Sequence, residues 1–141
     1  MSVKVYVNDK RAKKLLSDIV GRAKNKGMAL RIIASKMHKD VIKHFDDEKG
    51  EKGKWKPLAE STKAWKKKHG YSKMLQNTGQ LRRHNLPYTR GNKAIVENSL
   101  DYAKKQNMGK GKIPARDFLW LSKIALKDIV KYMTNYLVRG K

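Results

Sequence analysis

AKKLLSDIVGRAKNKGMALRIIASKMHKDVIKHF, residues 12–45, carries the pattern that decides the fold. Ala12, Leu15, Leu16, Ile19, Val20 and Ala23 recur at alternating spacings of three and one, which puts them on one stripe of an amphipathic helix. Lys13, Lys14, Asp18 and Arg22 fall largely outside that stripe. Gly27 interrupts or kinks the pattern, and a second stripe runs through Leu30, Ile33, Met37, Val41 and Phe45. Asp46, Asp47 and Glu48 then crowd the C-terminal end, where negative charge opposes the helix dipole, so the helix is expected to stop there.

Upstream, Val3, Val5 and Val7 alternate with Lys4 and Tyr6 as in a half-buried strand, and Asn8 or Asp9 can cap the helix that follows. Downstream, residues 49–57 hold two glycines and a proline and read as a loop. A short helix is expected from Ser61 to His69, with Leu58, Thr62 and Trp65 on one side and Gly70 as its stop. Lys66, Lys67 and Lys68 fall in its last turn, where cations suit the dipole. Residues 71–92 read as turn-rich, with a brief segment at Met74–Leu81.

Two short strands are expected next, Lys93–Asn98 and Tyr102–Met108, joined as a hairpin by Ser99, Leu100 and Asp101 and ended by Gly109, Gly111 and Pro114. Ser122 caps a closing helix striped by Leu126, Ile129, Val130, Met133 and Leu137. The expectation is one α+β domain over residues 1–141. It has a long N-terminal amphipathic helix region kinked near Gly27, a short antiparallel sheet with a hairpin, and a C-terminal helix.

Charge bounds the partners. Lys and Arg number 35 against 12 Asp and Glu, a net charge of +23. Such a surface attracts phosphate backbones, acidic proteins or anionic lipids, without choosing among them. There are no cysteines, which excludes disulfides and thiolate zinc sites. No run from Met1 to Lys10 has signal-peptide length, and nowhere do the apolar residues suffice for a membrane span. The protein is therefore expected to be made in a cytoplasm and to have no membrane association.

Catalytic chemistry finds no foothold. His38 and His44 are six apart and face different sides of a helix; His44 and Glu48 share a face, but two ligands at a helix end read as a solvated pair. His84–Asn85 lacks the nearby carboxylates that would hold a nuclease metal. Gly109 and Gly111 are not framed as a phosphate loop, and no Gly-x-Ser-x-Gly occurs. No catalytic residue, metal or cofactor is expected.

The best nucleic-acid candidate is Lys63, Trp65, Lys66, Lys67 and Lys68, an aromatic among cations, with Arg82 and Arg83 as further basic contacts. These residues suit either DNA or an acidic protein. The plainer expectation is that Trp65 packs inward, beside Leu58 and Thr62, and that the lysines are a solvated helix end.

A series of landmarks runs in order from Phe45 to Leu119. Phe45 is followed by Gly53–Lys54–Trp55–Lys56–Pro57–Leu58, then Thr62 and Lys66, then Leu75 and Thr78–Gly79–Gln80–Leu81–Arg82. Tyr102–Ala103 with Gln106 and Gly109 comes next, and Ile113–Pro114–Ala115–Arg116–Asp117–Phe118–Leu119 closes the set. In this order and spacing the chain resembles the phage virion morphogenesis family of Mu-like tail-completion proteins. It departs from that pattern at Lys105, where a histidine is common, and in the basic stretch 83–92.

The resemblance implies a non-enzymatic structural protein that completes the tail and joins it to the head, as a ring of about six subunits in the virion neck. Its implied partners are copies of itself, the tail tube or tail terminator protein, head connector or stopper proteins, and packaged DNA in the lumen. The landmark roles read as structural. Pro57 fixes the loop exit, Gly79 supplies a conformation other residues resist, and Pro114 ends the hairpin. Trp55 reads as a packing anchor rather than an interface residue. For Arg116 two roles stay open: holding a carboxylate or carbonyls across a subunit boundary, or tying a loop to its own chain.

Overall fold

The computed structural model describes residues 10–141, so the strand expected at Val3–Val7 and the cap at Asn8 or Asp9 lie outside the described residues. The expected α+β class holds: six helices and two two-stranded antiparallel sheets follow one another along the described chain. The N-terminal helix region is broken where Gly27 predicted, into α1 (Lys10–Lys24) and α2 (Gly27–Asp47). Helix α2 ends at the acidic cluster, with Glu48 in the left-handed region at φ 50° and its amide bonded to the His44 carbonyl.

The loop after α2 contains a minimal hairpin, β1 (Lys49–Gly50) and β2 (Gly53–Lys54). Helix α3 (Glu60–Lys68) and the single turn α4 (Gln80–Arg83) follow. The main hairpin is β3 (Asn85–Arg90) with β4 (Lys93–Asn98), in register from Asn85↔Asn98 to Arg90↔Lys93. Next come α5 (Ala103–Met108) and α6 (Lys123–Arg139), the latter capped by Ser122 Oγ accepting from the Ala125 amide at 3.1 Å.

One expectation is corrected here. Lys93–Asn98 is a strand, but it pairs backward with Asn85–Arg90 and not forward with Tyr102–Met108, which is helical. The two-residue connection Gly91–Asn92 makes the tight turn, with Gly91 at φ 57°. Pro87 hides the first strand because proline argues against a central strand; in a two-stranded ribbon both strands are edges and tolerate it. The other segment, Ala-Lys-Lys-Gln-Asn-Met, is rich in good helix formers and follows its intrinsic preference.

Helix α2 is the spine. It packs against both strands of the main hairpin and against α6, while α1 packs on α6. The core gathers Val41, Phe45, Trp55, Leu81, Ala103 and Phe118. Phe45 meets Trp55 edge-on at 5.8 Å and Phe118 at 5.0 Å between ring centroids, arrangements favoured by the ring quadrupole. Trp55 Nε1 donates to the Asp117 carbonyl at 2.8 Å, so its one polar atom is satisfied on burial.

A polar network fixes α6 to α2. Asp40 accepts from the Ser122 amide at 2.8 Å and from Ser122 Oγ at 2.7 Å. His44, expected as a solvated helix-end residue, is instead buried and stacked on Trp120 at 3.8 Å. Its Nε2 lies 3.1 Å from the Trp120 carbonyl and 3.3 Å from Asp40 Oδ2; both are acceptors, so this nitrogen carries the proton. Asn85, fully buried, donates to the Leu81 and Arg82 carbonyls and accepts from Asn98, locking the main hairpin to α4.

Candidate functional site

The residues between Trp55 and α3 face the residues after α5 across a cleft of about 990 Å³. Two devices hold its walls. Arg116 donates through Nε to the Lys56 carbonyl at 3.0 Å and through Nη2 to the Pro57 carbonyl at 3.2 Å. Its own amide donates to the Gln106 carbonyl at 2.9 Å, tying the same loop to α5. The loop can lie this close because Gly109 has φ 77°, and a Cβ there would sit 2.8 Å from the Ala115 amide nitrogen. Lys110 and Ile113 close the loop with a pair of backbone bonds at 3.0 and 2.9 Å.

The floor on the α3 side is a stripe spaced by four: Leu58, Thr62 and Lys66 all line the cleft. Lys66 is buried, donating to the Lys73 carbonyl at 2.7 Å and to Asn77 Oδ1 at 2.5 Å. Burial pushes its ammonium below the usual lysine range, with the Glu48 carboxylate opposing that shift. Burial pushes the Arg116 guanidinium down as well. Leu75, Leu81, Tyr102, Ile113 and Pro114 add apolar lining, and Lys56 and Lys112 add charge.

The landmark residues divide between two places. Phe45, Trp55, Leu81 and Phe118 are in the core, Leu81 also reaching the cleft wall. Pro57, Leu58, Thr62, Thr78, Tyr102, Pro114 and Arg116 line the cleft. Gly79 takes a left-handed conformation at φ 75° at the start of α4, and Gly109 and Ala115 meet at the loop crossing. Of the two roles left open for Arg116, its hydrogen bonds are to its own chain. Pro114 ends no hairpin, since Tyr102–Met108 is not a strand.

The basic group around α3 is rearranged relative to expectation. Trp65 does not pack inward: it is 47% exposed, stacked on His69 at 4.2 Å and Tyr71 at 5.8 Å. Lys66 takes the inward place instead, at 5% exposed. Lys63, Lys67 and Lys68 are exposed, with Lys63 paired to Glu60 at 3.1 Å. Arg82 pairs with Asp46 at 3.1 Å, and the Arg83 side chain lies against Gly79. The cleft itself was not anticipated; the spacing Leu58, Thr62, Lys66 was its available signal.

Among the described residues no three His, Asp or Glu side chains are placed to hold a metal, and no helix is long and apolar enough to cross a membrane. His84 bonds through Nδ1 to the Gln80 carbonyl at 2.8 Å at the end of α4.

A sequence profile of the phage virion morphogenesis family matches residues 7–138. Neither a curated protein nor a solved structure matches the chain. The match supports a structural, virion-associated role in phage assembly, and the family is not one of known enzymes.

Proposed function

The chain belongs to the phage virion morphogenesis family, and on that footing we propose that it completes the tail and joins it to the head as a ring in the virion neck. The ring has about six subunits. Its neighbours are the tail tube or terminator protein on one side and the connector or stopper proteins on the other, with packaged DNA passing through the lumen.

The observation that carries this reading is the apolar surface left open on α1 and α6. No residue of α6 is buried, Ile124 is 82% exposed and Val130 63%, and Leu15, Leu16 and Val20 of α1 are also exposed. Neighbouring subunits in a ring cover such surface through heterologous contacts. Cryo-EM of the virion tests the assignment: density for the protein belongs at the head–tail junction, and density confined elsewhere in the particle overturns it.

Exposed Trp65 and His69, stacked with half-buried Tyr71 beside Lys63, Lys67 and Lys68, favour a second reading, a basic DNA- or RNA-binding module. That reading requires the isolated protein to bind nucleic acid with a steep dependence on salt. Absence of binding at low salt removes it.

A further inference from the structure

Two buried cations of the cleft lack an ion-pair partner, and the Glu48 carboxylate, which acts on Lys66, is not among the residues lining the cleft. Lys66 is 5% exposed and Arg116 7%, and neither forms an ion pair among the described residues. Buried charges are ordinarily paired, because desolvation of an isolated charge is unfavourable. Here every hydrogen-bond partner is neutral: the Lys73 carbonyl and Asn77 for Lys66, the Lys56 and Pro57 carbonyls for Arg116. These bonds occupy part of each donor set, leaving one ammonium N–H and several guanidinium N–H groups for another acceptor. Lys56 and Lys112 add two exposed cations, and no Asp or Glu is among the residues lining the cleft.

We propose that this cleft docks an acidic segment of a neighbouring virion protein, its carboxylates meeting Lys66 and Arg116. Apolar side chains of the segment lie on Leu58, Leu75 and Ile113. The identity of the neighbour rests on the assembly reading above. A carboxylate suits the site because a guanidinium with free N–H groups offers it paired, charge-assisted hydrogen bonds. A DNA duplex suits it less: its phosphates lie on a broad rod that meets the exposed lysines first, whereas the two unpaired cations are recessed among apolar side chains.

The test is an NMR titration of the full, isotope-labelled chain with three probes. They are a capped peptide Asp-Leu-Glu-Leu-Asp-Leu, its amide counterpart Asn-Leu-Gln-Leu-Asn-Leu, and a duplex of about 12 base pairs. The acidic peptide is expected to shift the amides of residues 56–62, 75–81 and 112–116 and to bind at least about tenfold more tightly than the amide peptide. Lys112→Glu, at an exposed position, is expected to weaken it by about tenfold with the fold unchanged. Lys66→Met is expected to do the same, its own fold checked by circular dichroism. Equal binding of the two peptides overturns the proposal, as do shifts confined to lysines outside the cleft, or cleft amides that respond to DNA in preference. A failed titration leaves the neck assignment to the particle experiments, and failure of those leaves a positive titration standing.

Discussion

Arg116 donates through Nε to the main-chain carbonyl of Lys56 at 3.0 Å, joining two segments sixty residues apart. With the second bond to Pro57 it makes one side chain the clasp of the cleft. Replacing it removes the charge-assisted bonds and leaves two carbonyls without their donor. Arg116→Ala is expected to lower the unfolding free energy by about 2 kcal/mol, and Arg116→Lys by about 1 kcal/mol, because an ammonium lacks the planar fork that presents Nε and Nη2 to the two carbonyls. Urea unfolding checks this; a loss below about 0.5 kcal/mol for alanine means the loops hold without the clasp.

Lys66 gives a pH signature. Its folded-state pKa lies below the ordinary value of 10.5 through burial, so the unfolded chain binds its proton more tightly than the folded one. Stability from this group therefore rises as pH climbs through the window just below 10.5, the direction linkage requires when the unfolded state holds more protons. Unfolding of the native chain and of Lys66→Met, measured in parallel across the alkaline range, isolates the effect. The native chain should gain relative to the variant as pH rises; a constant difference contradicts the account.

Asp40 holds two donors, the Ser122 amide and Ser122 Oγ, and lies 3.3 Å from His44 Nε2. Asp40→Ala leaves the Ser122 amide and hydroxyl without their acceptor, while His44 Nε2 keeps the Trp120 carbonyl, and is expected to cost about 2 kcal/mol; Ser122→Ala, losing the cap, costs about 1 kcal/mol. A double-mutant cycle should show coupling between them, since both act on one network. Additive losses mean that the network does not act as a unit.

Gly109→Ala places a Cβ 2.8 Å from the Ala115 nitrogen at a backbone φ of 77°. The expected loss exceeds about 1 kcal/mol, and the loop carrying Arg116 should move away from Lys56. Thermal unfolding measures the first effect, and increased amide exchange at Arg116 reports the second. Unchanged protection there shows that the crossing tolerates a methyl group.

Much of this was legible in the sequence, for physical reasons. The stripes on α1 and α2 and the break at Gly27 follow from helical periodicity, which long segments display clearly. The main hairpin was half legible. Lys93–Asn98 shows its β-branched pair, but its partner strand hides behind Pro87, and local pattern alone cannot say on which side a strand pairs.

The cleft was less legible because it is made by tertiary contact. Lys66 sat in a run of three lysines that reads as a solvated helix end, and only the spacing from Leu58 and Thr62 separates it from Lys67 and Lys68. Trp65 misled in the opposite sense, since a tryptophan beside Thr62 suggests core and this one stacks in solvent on His69. His44 was read as a surface residue because Trp120, which stacks on it, and Ser122, which bonds its helix neighbour Asp40, come from the far end of the chain.

The role proposed for this protein is to join tails to filled heads. Electron microscopy of lysates from a phage deleted for it, with the protein supplied in trans as control, tests that claim most directly. The account predicts DNA-filled heads beside separate tails, restored to joined particles by the supplied protein. Normal, infectious particles in its absence would contradict it.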